Sequence, residues 1–161
     1  MRWGVLPSPL GDLTVARSES GLTGVWFDDH RGGARVPDGA PRDDTAFHDV
    51  RDQLEEYFAG ARTTFDLPLD PPGDAFSRRV WDALTRIPHG GTTTYGEIAR
   101  TLGGIGHAQA VGVANGRNPL SVLVPCHRVV GRDGDLVGYA GGLWRKRFLL
   151  DLEQSADERL F

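Results

Sequence analysis

The chain has a single cysteine among its 161 residues. That excludes an internal disulfide framework and leaves no cysteine cluster for a metal, so a reducing, cytoplasmic setting is expected. Long apolar runs are also missing. No stretch approaches a membrane span, and residues 1–7 lack the apolar region of a secretion signal, so a soluble protein without a membrane role is expected. Apolar residues almost vanish between positions 30 and 44, where Gly, Arg, Asp and Pro prevail, and this reads as a surface loop. His30 and His48 lack partners at metal-ligand spacing, which predicts no metal.

The charge that is present is unevenly spread. Residues 1–74 hold 7 Lys/Arg against 14 Asp/Glu, whereas residues 75–161 hold 11 against 8. The overall charge of −4 therefore conceals a basic half, and that half contains the cysteine. Local positive charge is enough for a phosphate-facing surface with salt-sensitive affinity, although an ordinary acidic domain fits the same numbers. A chain of this length buries one good core or two small ones. Two lobes are expected, 1–70 and 76–161, with a linker at 71–75 signalled by Asp70-Pro71-Pro72-Gly73.

In the first lobe, apolar segments alternate with turn signals: Pro7-Ser8-Pro9-Leu10-Gly11, then Leu13-Thr14-Val15-Ala16, then Glu19-Ser20-Gly21. This predicts an antiparallel meander. Phe47, Val50, Leu54, Tyr57 and Phe58 recur at helical spacing, and Gly60 stops the helix. Nothing in this lobe forms a constellation for chemistry.

In the second lobe, Asp74 caps a helix with an apolar stripe of Phe76, Val80, Ala83, Leu84 and Ile87. Thr94-Tyr95-Gly96-Glu97 matches a capping box and opens a short helix that Gly103-Gly104 closes. Small residues, Ala108, Ala110, Gly112 and Ala114, fill the next helix. Two short helices about a glycine turn outline a helix-turn-helix, but the second has no long polar side chains for reading base edges; close packing inside the domain fits its composition equally. A last helix is expected over 143–154, with Arg145, Lys146 and Arg147 on a solvated face.

Val122-Leu123-Val124-Pro125-Cys126-His127-Arg128-Val129-Val130 reads as a buried strand interrupted by polar residues that are expensive to bury. Cys126 is either a small core hydrophobe or a nucleophile. Pro125 cannot donate to a sheet ladder and so bends the strand, while His127 and Arg128 favour a thiolate.

Pro125-Cys126-His127-Arg128-Val129 resembles the hallmark of the O6-alkylguanine-DNA alkyltransferases, also called methylated-DNA–protein-cysteine methyltransferases. Phe76-Ser77-Arg78-Arg79-Val80-Trp81, Thr94-Tyr95-Gly96-Glu97-Ile98-Ala99, Ala110-Val111-Gly112, Asn118-Pro119 and Gly138-Tyr139-Ala140-Gly141-Gly142 extend the likeness from residue 76 to residue 153. The resemblance implies an α/β (α+β) fold, with an N-terminal antiparallel-sheet lobe bearing a helix (ribonuclease H-like) and a C-terminal winged helix-turn-helix-like lobe carrying the active-site cysteine. It implies one-shot transfer of an alkyl group from O6-alkylguanine, with O4-alkylthymine as a further candidate, to Cys126. His127, bridged by water to Glu153, is then the base, Tyr95 the phenol that assists the departing guanine, and Asn118 a brace for the turn.

On the same resemblance, Thr94, Gln109, Ala110, Arg128, Val129, Tyr139 and Ala140 meet the substrate. The partner is alkylated double-stranded DNA, bound through the minor groove with the nucleotide rotated out of the stack. The protein acts as a monomer without metal or cofactor. Gln109 stands where the family has an arginine that fills the emptied stack, and Ala140 where relatives often have serine. Glutamine is shorter and uncharged, which bears on duplex repair more than on the chemistry. Two other readings stay open: a lesion-binding signalling protein, and a relative redirected to free bases, RNA or a small alkyl donor.

Overall fold

A computed structural model describes residues 1–159, with side chains through residue 155. It divides into two units, 1–72 with 119–121, and 73–118 with 122–161.

The N-terminal unit is built on an antiparallel sheet of three strands in the order β1 (Arg2–Leu6), β2 (Leu13–Arg17), β3 (Leu22–Phe27). The turn residues read from the sequence make the first reversal, with Ser8 Oγ accepting from the Leu10 amide at 3.1 Å. A register shift between Ala16 and Arg17 bends the second pairing. Leu6, Leu13, Val15, Leu22, Val25 and Phe27 are buried. Helix α1 (His48–Phe58) buries Val50, Leu54 and Tyr57, preceded by buried Phe47, as its spacing predicts. It ends where Gly60, at φ 77°, donates to the Tyr57 carbonyl at 3.0 Å. The 30–44 loop is mostly exposed, but its end returns to the sheet: Asp43 N donates to Trp3 O at 2.7 Å, and Arg42 lies over the Trp3 ring at 5.3 Å. Residues 119–121, which the sequence assigns to the second lobe, pair instead with β3. Val25 N donates to Pro119 O at 2.8 Å and Ser121 N to Val25 O at 3.1 Å.

The C-terminal unit begins with α2 (Ala75–Thr85), capped by Asp74, which accepts from Ser77 N at 2.7 Å. Its buried face, Val80, Trp81 and Leu84, packs on α4 (Ala108–Gly116), and the Trp81 indole donates to the Ala114 carbonyl at 2.9 Å. Between them lies α3 (Tyr95–Thr101), where Thr94 accepts from Glu97 N at 3.2 Å. Only half of the expected capping box forms, because the Glu97 carboxylate accepts from the Thr93 hydroxyl at 2.9 Å. Gly103 and Gly104, at φ 131° and 149°, make the turn into α4. Thr93–Thr94 (β4) pairs in parallel with Val129–Val130 (β5). Helix α5 (Leu143–Arg159) runs past the end read from the sequence. No described helix is long and apolar enough to cross a membrane.

The expected strand over 122–130 is a correction. Only Val129–Val130 is strand, and Cys126–Arg128 is a single 3-10 turn. Proline explains it, since Pro125 at φ −80°, ψ 63° sits at an inverse γ-turn closed by Cys126 N to Val124 O at 2.8 Å.

Gly24 is packed against the ring of Trp26, whose atoms come to 1.9 Å from where a Cβ at position 24 would lie. Trp26 is itself buried, so Gly24→Ala must displace a large side chain. A loss of about 1–3 kcal/mol is expected, measured by urea unfolding of the two proteins.

Candidate active site

The γ-turn at Pro125 leads directly into the 3-10 turn that holds Cys126, His127 and Arg128, all buried. Two features brace it from the N-terminal side. Asn118 donates through Nδ2 to the Val124 carbonyl at 2.9 Å, and Val122 is held at φ 72°, a region that β-branched residues avoid. On the other side the parallel pairing of Thr93 with Val129 and of Thr94 with Val130 ties the start of α3 to the end of the cysteine turn. This pairing is why Tyr95, the first residue of α3, lies close enough to Cys126 for a thiolate charge there to raise the pKa of the phenol.

His127 and Glu153 meet directly, Nε2 to Oε2 at 2.7 Å, with both side chains sealed from solvent. The water bridge implied by the resemblance is therefore replaced by direct contact. Glu153, a surface residue on a bland reading of the sequence, is 1% exposed. Arg128 explains how it is tolerated. Its Nε donates to Oε1 at 2.8 Å and its Nη2 to Oε2 at 2.9 Å, while Nη1 donates to the Ile87 carbonyl at 2.6 Å. Burial alone would push the Glu153 carboxyl up. The hydrogen bonds from His127 and Arg128 outweigh it and hold the group far below the usual carboxylate range. Burial lowers the His127 imidazole against the opposing pull of Glu153, so it is neutral at pH 7. With Nε2–H donated to an ionised carboxylate, Nδ1 carries the lone pair, and that atom is buried with no partner among the described residues.

Cys126 is 6% exposed, and burial pushes its thiol up. The groups that favour its thiolate are a hydrogen bond from Asn118, the charge of Lys146 and a hydrogen bond from the Tyr139 hydroxyl. Burial likewise pushes Tyr139 far up, so this phenol is a donor only. Tyr95 is raised by burial and accepts a hydrogen bond from Asn115, which works in the opposite direction.

The remaining residues implied by the resemblance take varied places. Gln109 and Ala110 lie exposed in the first turn of α4, followed on that face by Val113 at 49% exposure. Thr94 is committed as a helix cap and Val129 is buried in β5, while Ala140 is half-buried beside Tyr139. Arg128 does not face outward. Its guanidinium is consumed by Glu153 and Ile87, which places it inside the site as a charge partner and not at a DNA surface. Arg145 and Lys146, expected on a solvated face, are 3% and 0% exposed. Only the exposed Arg147 fits that reading. The involvement of Asn115 and Lys146 has no local signature, since nothing near either residue in the sequence marks it as facing Tyr95 or Cys126.

The family profile described as 6-O-methylguanine DNA methyltransferase, DNA binding domain, matches residues 75–155, and the ribonuclease-like domain of the same methyltransferase matches residues 1–71. The chain belongs to the 6-O-methylguanine DNA methyltransferase family. Among curated members, the methylated-DNA–protein-cysteine methyltransferase of Methanosarcina acetivorans is 46% identical over 155 residues, covering 96% of this chain and 99% of its own. The protein of that name from Mycobacterium tuberculosis is 47% identical over 164 residues, covering 100% and 99%. The crystal structure of the Mycobacterium tuberculosis OGT in complex with DNA superposes with a TM-score of 0.90 at 46% identity, covering 97% of this chain and 94% of that one. The mixed α and β architecture is that of the methyltransferase family in both lobes.

The His127–Glu153–Arg128 network makes this methyltransferase-family fold sensitive to acid. Unfolded, His127 takes a proton near its ordinary 6.5 and Glu153 near 4.5, whereas in the fold both pKa values are lowered. The unfolded chain therefore binds more protons at low pH. The stabilisation is complete above the unfolded values and is lost as pH falls toward the folded ones. Thermal unfolding midpoints should drop as pH is lowered from about 7.5 to about 5, and His127→Gln should flatten that slope. At neutral pH, Glu153→Gln strands a buried guanidinium and should cost about 3–5 kcal/mol, read by urea unfolding.

Proposed function

We propose that the chain removes the alkyl group from O6-alkylguanine in DNA by transferring it to Sγ of Cys126, once per protein molecule. The observation that carries this reading is the surroundings of the only thiol. It sits on a proline-made turn beside a neutral imidazole whose proton-accepting nitrogen is unpartnered among the described residues, and within electrostatic reach of a phenol at the start of α3.

The thiol proton passes to His127 Nδ1, and Glu153 supports the imidazolium that forms. The sulfur then attacks the alkyl carbon. A carbon–sulfur bond forms, the carbon–oxygen bond breaks, and its electron pair stays on guanine O6. Tyr95, kept protonated by its raised pKa, donates to the departing base. The product is a thioether with no group beside it to hydrolyse it, so the protein is consumed. No cofactor enters this sequence of steps.

The DNA is double-stranded, read without base preference by the small-residue helix α4 in the minor groove, with the target nucleotide rotated into the site. The protein works as a monomer, and a cytoplasmic setting would keep its thiol reduced. Thr94, Val129, Tyr139 and Ala140 wall the pocket. The names of the relatives, methylated-DNA–protein-cysteine methyltransferases, support the reaction, and the crystallised complex of the Mycobacterium tuberculosis OGT with DNA supports the partner.

Gln109 favours attention to a second substrate form. An exposed, uncharged side chain at the head of α4 gives weaker help in emptying a duplex stack, so unpaired alkylguanine should be handled relatively well.

Incubation with an oligonucleotide containing O6-methylguanine should add one methyl group to the intact mass, localised to Cys126, and Cys126→Ala should show no gain; an unmodified native protein would refute the transfer. Gln109→Arg should raise the rate on duplex by about tenfold and leave the single-stranded rate within about twofold, as followed by quench-flow and mass spectrometry, which corresponds to about 1.4 kcal/mol at the extrusion step.

A further inference from the structure

Lys146 is the only lysine in the chain, and every other cationic side chain of that kind is arginine. It lies in the first turn of α5 and is fully buried. Its ammonium donates to the Val137 carbonyl at 2.5 Å and to the Gly138 carbonyl at 3.2 Å. Its backbone amide donates to Gly142 O at 3.2 Å, and the neighbouring Arg145 donates to Gly141 O at 2.9 Å. The first turn of α5 therefore grips both ends of the 137–142 loop, and that loop carries Tyr139, whose hydroxyl donates to Cys126.

A buried ammonium is expensive unless a negative charge compensates it. Among the described residues Lys146 has no carboxylate partner. Glu153, the buried acidic group on the same helix, is taken up by His127 and Arg128. The other titratable or charged groups around the site are Tyr95 from α3, Tyr139 from the loop, His127 and Arg128 from the cysteine turn, and Arg145 from α5. All of these are neutral or positive at pH 7. The one group that can become an anion against Lys146 is Cys126, and each of the two shifts the other's ionisation.

We infer that Lys146 is a positioning residue for the transfer reaction, clasping the loop that carries Tyr139 and supplying the counter-charge against which the Cys126 thiolate forms. The inference rests on Cys126 being the alkyl acceptor and adds a partner to it. Burial lowers the lysine to about 8, which leaves it mostly protonated at neutral pH, and the thiolate opposes that lowering. The coupling is reciprocal, so removing either group should shift the other by the same amount in opposite directions.

A single lysine makes the test direct. Protein labelled with carbon-13 lysine gives one side-chain Cε signal, titrated from about pH 6 to about pH 10 in the native protein and in Cys126→Ser. The midpoint should fall by about one pH unit, a tenfold change in proton affinity, when the thiol is lost. An unchanged midpoint would overturn the inference. In the complementary arm, the rate at which iodoacetamide modifies Cys126 is followed against pH in native protein and in Lys146→Met. The reactive form should appear about one unit higher in the variant, slowing modification about tenfold at pH 7 while the high-pH plateau stays near native. A lowered plateau with an unmoved midpoint would mean a purely structural lysine and would also overturn the inference. Should Lys146→Met not fold, the lysine titration decides by itself. Neither arm uses DNA. Coupling without alkyl uptake from O6-methylguanine would therefore count against the proposed function alone, and uptake without coupling against Lys146 alone.

Discussion

Glu153 holds a negative charge where almost no solvent reaches it, and the C-terminal site depends on how that charge is satisfied. Arg128 grips both carboxylate oxygens and is itself anchored to the Ile87 carbonyl, which fixes the carboxylate in one orientation. That orientation leaves one oxygen for His127 Nε2 and so decides which imidazole nitrogen keeps its lone pair. The guanidinium also prevents Glu153 from drawing a proton onto the histidine at neutral pH. A carboxylate without this fork would either protonate His127 or be too costly to bury. Replacing Arg128 by lysine would keep the charge but give up the two-pronged grip.

Around that ion pair, the reacting groups are gathered by very little regular structure. Two residues of β4 and two of β5 suffice to bring the start of α3 to the cysteine turn. The γ-turn at Pro125 does the rest, since a continuing strand would point successive side chains to opposite faces and separate the thiol from the imidazole beside it. A 3-10 turn keeps Cys126, His127 and Arg128 on a tight curve, each aimed at a different partner. The thiol remains harder to ionise than in water, so its reactivity has to come from Asn118, Lys146, Tyr139 and the imidazole acting together.

Much of this was legible in the chain because it follows from local rules. The three-strand meander, the Asp74 cap, the Thr94 cap and the glycine turn before α4 are each set by residues within a few positions of one another. The importance of Cys126 was visible because a thiol, an imidazole and a guanidinium interrupt an apolar run. What the sequence could not carry was direction. The 122–130 run reads as a strand because apolar residues dominate it, and only the backbone angles at Pro125 turn it into a hinge. Arg145 and Lys146 read as solvated because cations usually are, and their burial depends on loop carbonyls that have no side-chain signature. Glu153 needs partners 25 and 26 positions away, a distance only the fold closes. The return of residues 119–121 to β3 was equally invisible, because backbone pairing leaves little mark on composition.

Val122, at φ 72°, lies four positions before the thiol and is almost fully buried. A branched side chain in that conformation holds roughly 1–3 kcal/mol of unfavourable backbone energy, which the surrounding packing has to absorb. Glycine there would relax the backbone and also remove the wedge that dictates where the chain emerges before Pro125. Thermal hardening and a well-aimed nucleophile therefore pull this position in opposite directions, and a lineage adapting to heat would have to find its extra stability elsewhere in the molecule.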